Sequence, residues 1–161
     1  MRVEIDKMSY IDRLIKNCEL AKKATPIQEF VFKNLDELDS IKQAIYIIEE
    51  INGDNGDTFS KFSNYKERKE RKCAKLNSPS NIMYVGSSTN YRVKTRIKQH
   101  LGNSDSYKET YALHLGHWFV GEYKITIKQY DVIDNDVLQI IEDDLSDQLK
   151  PAFGKQGGNN R

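Results

Sequence analysis

Two short apolar runs, Ala44-Ile45-Tyr46-Ile47-Ile48 and Ile82-Met83-Tyr84-Val85-Gly86, constrain this chain more than any other feature. Both are rich in β-branched and aromatic residues and both are closed by turn signals. Asn52-Gly53 and Asn55-Gly56 follow the first, and a Ser-Ser-Thr-Asn cluster follows the second. They predict two buried strands. The stretch 52–80 between them is polar and basic, an insertion with one helix expected over Tyr65–Leu76.

Around this pair the periodicity changes to that of helices. Ile11, Leu14, Ile15, Cys18 and Ala21 predict a helix over Met8–Ala24, with Pro26 just beyond it. Val93, Ile97 and Leu101 share one line of a helix over Tyr91–Leu101, which Gly102 stops. Leu138, Ile141, Leu145 and Leu149 form the apolar stripe of a helix over Asn135–Leu149, ended by Pro151. Tyr123, Ile125 and Ile127 alternate with polar residues in a half-buried strand over Glu122–Ile133. Shorter elements are expected at Glu29–Phe32 (strand), Asp36–Ser40 (turn) and Tyr107–Leu115 (helix). The order predicts an α+β domain whose small, largely antiparallel sheet is covered by helices.

At 161 residues, 38% apolar and 30% charged, the chain suits one folded domain with a modest N-terminal extension. Cys18 and Cys73 stand in unrelated contexts with no secretory signal, so reduced thiols and a cytoplasmic setting are expected. No apolar run is long enough to span a bilayer. The net charge of +1 conceals a polarised distribution. Lys61, Lys66, Arg68, Lys69, Arg71, Lys72 and Lys75 crowd one segment, opposed by Glu67 and Glu70 alone. Arg92, Lys94, Arg96 and Lys98 follow with no acid among them, whereas 131–147 carries seven acids and no base. Such a chain can turn one positive surface to a polyanion and remain neutral overall; ordinary solvated helix faces would give the same composition.

Among single residues, Glu142 is the most informative. It lies four residues after Leu138 and three before Leu145, so it points with the apolar stripe, where a carboxylate needs a partner or a metal. Arg92, Arg96 and His100 share one line of the preceding helix, and arginine's planar fork suits phosphate oxygens. Tyr46 and Tyr84 sit mid-strand, where tyrosine is commonly a core residue with one satisfied hydroxyl. Phe62 and Tyr65 either reach nucleic acid or anchor the insertion. His114, His117 and Cys73 lack the companions of a metal or nucleophile site and are read as structural.

The strand Ala44-Ile45-Tyr46, the strand Met83-Tyr84-Val85-Gly86-Ser87-Ser88, the helix Arg96-Ile97-Lys98-Gln99-His100 and the distal Glu142 together resemble the GIY-YIG nuclease domain over roughly residues 41–155. The resemblance leaves residues 1–40 as an N-terminal helical extension and takes 41–161, with its 52–80 insertion, as the domain. It implies a three-stranded antiparallel sheet flanked by helices. It also implies hydrolysis of phosphodiester bonds in DNA, most readily double-stranded, with Mg²⁺ (or Mn²⁺) held by Glu142. Tyr46, Tyr84, Arg96, His100 and Glu142 would be the catalytic set, and a palindromic cut would call for a homodimer. A restriction-type or mobile-element enzyme is the leading expectation, and a DNA-binding module without cleavage is the alternative. The chain departs from the family pattern in four places. Ala44 replaces the first motif glycine, and the gap from Tyr46 to Tyr84 is much longer. Arg96 falls two residues farther from the second strand. Gly154 or Lys155 stands where the family has its C-terminal asparagine, with Asn159 as another candidate.

Overall fold

The computed structural model describes residues 8–131 and 133–155. In chain order its elements are helix α1 (Tyr10–Lys23), strand β1 (Gln28–Val31), strand β2 (Gln43–Ile51) and helix α2 (Asn55–Glu67). Strand β3 (Ile82–Ser88), helix α3 (Val93–Leu101), strand β4 (Glu122–Tyr130) and helix α4 (Asn135–Leu149) complete them. Single 3₁₀ turns lie at Leu35–Leu38 and Leu115–His117. The protein is thus α+β, with an antiparallel sheet in the order β1-β4-β2-β3. Among the described residues no helix is long and apolar enough to cross a membrane.

The sheet has four strands where the resemblance implied three. The extra one is β1, which pairs with the outer side of β4 from Gln28↔Gln129 to Val31↔Thr126. Its Phe30 packs against the core, so the strand contributes a side chain as well as backbone pairing. The central pair is β2 with β4, in register from Gln43↔Tyr130 to Ile51↔Glu122.

Strand alternation sends side chains to two faces, and both are covered. Ala44, Tyr46, Ile48, Ile125 and Ile127 lie in one cluster with Phe62 of α2 and Val93, Ile97 and Leu101 of α3. Ile45 and Val85 lie in the other, with Leu138 and partly buried Ile141, Leu145 and Leu149 of α4. Helix α1 packs on α4, but none of its own residues is buried, and Ile11, Leu14 and Ile15 remain exposed.

The insertion differs from expectation. Its helix spans Asn55–Glu67 rather than Tyr65–Leu76. Asp54 caps it by accepting from Asp57 N–H, and Thr58, Phe62 and Tyr65 give it a buried face. The chain then breaks at Lys69, whose φ of 57° no helix accommodates. Residues after it run back along the body. Ala74 N–H bonds to Ala112 O, Asn77 N–H to Ala152 O, and Gly154 N–H to Lys75 O. Ala152 and Phe153 in turn donate to Ile82 and Met83 of β3. The helix expected over Tyr107–Leu115 is absent too. Tyr107 and His114 take left-handed φ of 69° and 52°, and Ala112 forms a bridge to Cys73.

Candidate active site

Pairing within the sheet brings Tyr46 and Tyr84 together. Tyr46 lies opposite Gly86 and Ile48 opposite Tyr84, so both tyrosines project from one face, and their rings stack at 6.1 Å with planes 6° apart. Gly86 is glycine for a steric reason: a Cβ there would collide with the Tyr46 phenol. Gly154 plays the same part for the other ring. Its φ is +100°, and a Cβ would come 2.7 Å from Cε2 of Tyr84. At the expected asparagine position the chain therefore presents backbone packed on Tyr84, and Lys155 beside it is exposed. Asn77 holds this turn by donating to the carbonyls of Pro151 (3.1 Å) and Gly154 (2.9 Å). Asn159 lies outside the described residues.

Helix α3 delivers Arg96 and His100 to the same spot, as their spacing requires. His100 is fully buried, with Nε2 3.1 Å from the Tyr46 hydroxyl and its ring 4.2 Å from that of Tyr84. Leu113 N–H donates to His100 Nδ1 at 3.2 Å. Nδ1 is therefore an acceptor, and in the neutral ring the proton sits on Nε2, which donates to Tyr46. Burial, then the charge of Arg96, holds the His100 pKa well below its usual value, so the ring is neutral. Arg96 Nη2 donates to the Tyr84 hydroxyl (3.0 Å) and the Tyr111 carbonyl (2.9 Å), and Nη1 donates to Gln99 (2.8 Å). Burial opposes its charge, but the neighbouring Tyr46 and Tyr84 outweigh that and raise its pKa. Tyr46 itself is buried, and desolvation pushes its pKa far up against the opposing pull of Arg96.

Glu142 approaches from α4, on the other side of edge strand β3. Ser87 Oγ donates to one carboxylate oxygen at 2.6 Å and Gln139 Nε2 to the other at 3.0 Å. Gln139 also bonds Asp143 at 2.9 Å. Burial raises the Glu142 pKa, opposed by the Ser87 and Gln139 bonds. Glu142 meets the tyrosine pair through Ser87, which follows Gly86, the partner of Tyr46 in the sheet. Among the described residues no trio of His, Cys, Asp and Glu gathers into a metal cage. One carboxylate with both oxygens held by neutral donors fits a hard divalent cation that completes its shell with water and phosphate oxygens. Ser87 and Gln139 were missed by sequence reasoning. The sole signal for Gln139 was its place one helical turn before Glu142.

The basic residues divide. Arg71 is buried, donating to the carbonyls of Ser106 (2.6 Å) and Ser104 (3.4 Å), and Lys66 bonds Ala74 O at 3.1 Å, so these two fasten loops. Lys61 pairs with Asp57, Arg68 with Glu70, Lys72 with Glu109, and Lys94 with Asp39 and Asp36. Lys69, Lys75, Arg92 and Lys98 are exposed. Phe62 and Tyr65 are core residues, Phe62 packed 4.4 Å from Phe153 and 4.9 Å from Trp118. Of the residues set aside, Cys73 and His114 are buried; the His114 Nε2 faces two carbonyls and its Nδ1 has no partner.

No protein-family model, no curated protein and no solved structure matches this chain.

Proposed function

We propose that this chain is a divalent-metal-dependent nuclease of the GIY-YIG type that hydrolyses phosphodiester bonds in DNA. One observation carries the reading. Tyr46, Tyr84, Arg96 and His100, from three separated segments, stack on or bond to one another, and Glu142, from a fourth, reaches the same edge strand β3 through Ser87. A cluster of phenols, a guanidinium and a half-buried carboxylate is costly to assemble and has a use at a phosphate.

In this reading Arg96 holds the scissile phosphate, its guanidinium set in place by Gln99, Tyr84 and the Tyr111 carbonyl. Tyr46 takes or relays the proton of the attacking water, a role in which the charge of Arg96 works against the burial that holds the phenol's pKa up. The tautomer fixed by Leu113 makes His100 a donor toward the Tyr46 oxygen, so His100 stabilises negative charge there rather than accepting a proton. Tyr84, half-buried and facing Arg96, orients the water. Glu142 would hold Mg²⁺ or Mn²⁺, which would supply Lewis acidity toward the phosphate. Ser87 and Gln139 keep the carboxylate aimed.

The test is incubation with several plasmid and phage DNAs in Mg²⁺ and in EDTA. Nicked or linear products in Mg²⁺ alone, absent with Glu142→Gln, are expected; discrete bands would mark site-specific cleavage and a smear general cleavage. Intact DNA under every condition, or cutting that survives Glu142→Gln, would refute the reading.

A further inference from the structure

Tyr111 is an aromatic residue that the mechanism leaves unused, and its setting is unusual. Its backbone is pinned: the carbonyl accepts from Arg96 at 2.9 Å, and the next residues, Ala112 and Leu113, are wholly buried. Ala112 is also tied to Cys73 and Ala74 of the returning insertion. Its ring is nevertheless 60% exposed. The Lys72 ammonium stands 5.7 Å from the ring centroid and is itself held by Glu109 at 3.0 Å. A rigidly mounted aromatic ring thus stands in solvent, with a cation on it, next to the guanidinium assigned to the scissile phosphate.

This combination has a chemical reading. An exposed ring beside positive charge is the common device for holding a nucleobase, because every base has a π-face and every neighbouring phosphate a negative charge. Core packing does not account for the exposure, and the main-chain bond to Arg96 needs no particular side chain. The distance is also suitable. Arg96 bonds the main chain of Tyr111 itself, so a phosphate on Arg96 lies within one residue's span of the ring.

We propose that Tyr111 and Lys72 form a stacking platform that takes an unpaired base of the nucleotide next to the scissile phosphate. Lys72 serves the ring and the flanking phosphate. This inference rests on the nuclease reading and adds to it a base-binding subsite, which favours single-stranded, frayed or distorted DNA over a perfect duplex.

The test is a thermodynamic cycle. Fluorescein-labelled single-stranded oligonucleotides, one with all its bases and one of equal length and charge with abasic positions, are titrated with the full chain at fixed salt. Tyr111→Ala should weaken binding to the intact strand by roughly ten-fold or more, and Tyr111→Phe should not, since the ring does the stacking. On the abasic strand the alanine change should have little effect, because the base it stacks on is already gone. Equal losses on both strands would show that Tyr111 touches no base, and undiminished binding by Tyr111→Ala would overturn the platform outright. If wild-type protein binds neither strand, the platform fails, and the nuclease reading fails with it only if plasmid DNA also stays intact in Mg²⁺. Binding and Mg²⁺-dependent cutting with an indifferent Tyr111 would sink the platform alone. Circular dichroism melts of each variant ensure that loss of binding is not loss of fold.

Discussion

Replacing Tyr46 with phenylalanine isolates one oxygen atom. The ring stays, and with it the stack on Tyr84 and its place in the core cluster that includes Ile48, Ile97 and Ile127. What disappears is the acceptor 3.1 Å from His100 Nε2. Arg96 has three other acceptors and loses little. His100 has no alternative. It is fully buried, and flipping its tautomer would point an Nδ1–H at the Leu113 N–H. A buried donor left without an acceptor costs about 1–3 kcal/mol. At about 2–4 °C per kcal/mol for a domain of this size, the melting temperature should fall by roughly 4–8 °C for a mid-range loss. Cleavage of plasmid in Mg²⁺, assayed well below both melting temperatures, should fall roughly 100-fold or more if the hydroxyl handles the water's proton. Normal melting would mean that His100 does not depend on Tyr46. A lower melting temperature with normal turnover would mean that the oxygen is purely structural.

Further outcomes follow from other groups in the site. Glu142→Gln should abolish cleavage, keep DNA binding by fluorescence anisotropy, and melt higher than wild type at pH 7. Burial raises the carboxyl pKa, so its stabilising contribution is present below the unfolded value and lost as pH rises through the folded one; the advantage of glutamine should shrink toward pH 4. His100 has the opposite sign. Its folded pKa is depressed, so the stability it provides is present above the unfolded value near 6.5 and should decline as pH falls below it, more steeply than in His100→Gln. Replacing Arg68, Lys69, Lys72 and Lys75 by alanine should flatten the plot of log affinity against log salt by roughly two to four units and spare the fold, an unchanged slope placing the insertion away from DNA. Arg71→Ala, by contrast, should lower the melting temperature, because it frees the carbonyls of Ser104 and Ser106.

How much of this was legible in the sequence depended on whether a residue's role was local. Helix α4 occupies Asn135–Leu149, as its stripe and Pro151 indicate, and Glu142 on that stripe is half-buried and bonded. The central strands follow from β-branched runs, and the four-residue spacing of Arg96 and His100 puts both on one helix face. The insertion was opaque because Asn55-Gly56 carries a turn signal, whereas Asp54 as a cap and the anchors Thr58, Phe62 and Tyr65 make it helix. Tertiary packing overrode propensity there. Arg71 looks like any other cation of its basic run, and its burial is set by carbonyls more than thirty residues away. Ser87 and the Tyr111 carbonyl act through contacts that no periodicity encodes.

The return of the insertion along Ala74–Asn77, and of the C-terminal segment along Ala152–Phe153, also bears on self-association. A strand at the margin of a sheet offers unsatisfied donors and acceptors to any other chain. On the β3 side the carbonyls of Ile82 and Met83, at the start of the strand, accept from Ala152 and Phe153, which are backed in turn by Leu76 and Asn77. The opposite margin is only the short β1. The stretch that separates the two tyrosine strands in sequence thus helps to cap the start of one of them in space, and shortening it would trade a tolerated loop for an adhesive edge beside the tyrosine cluster.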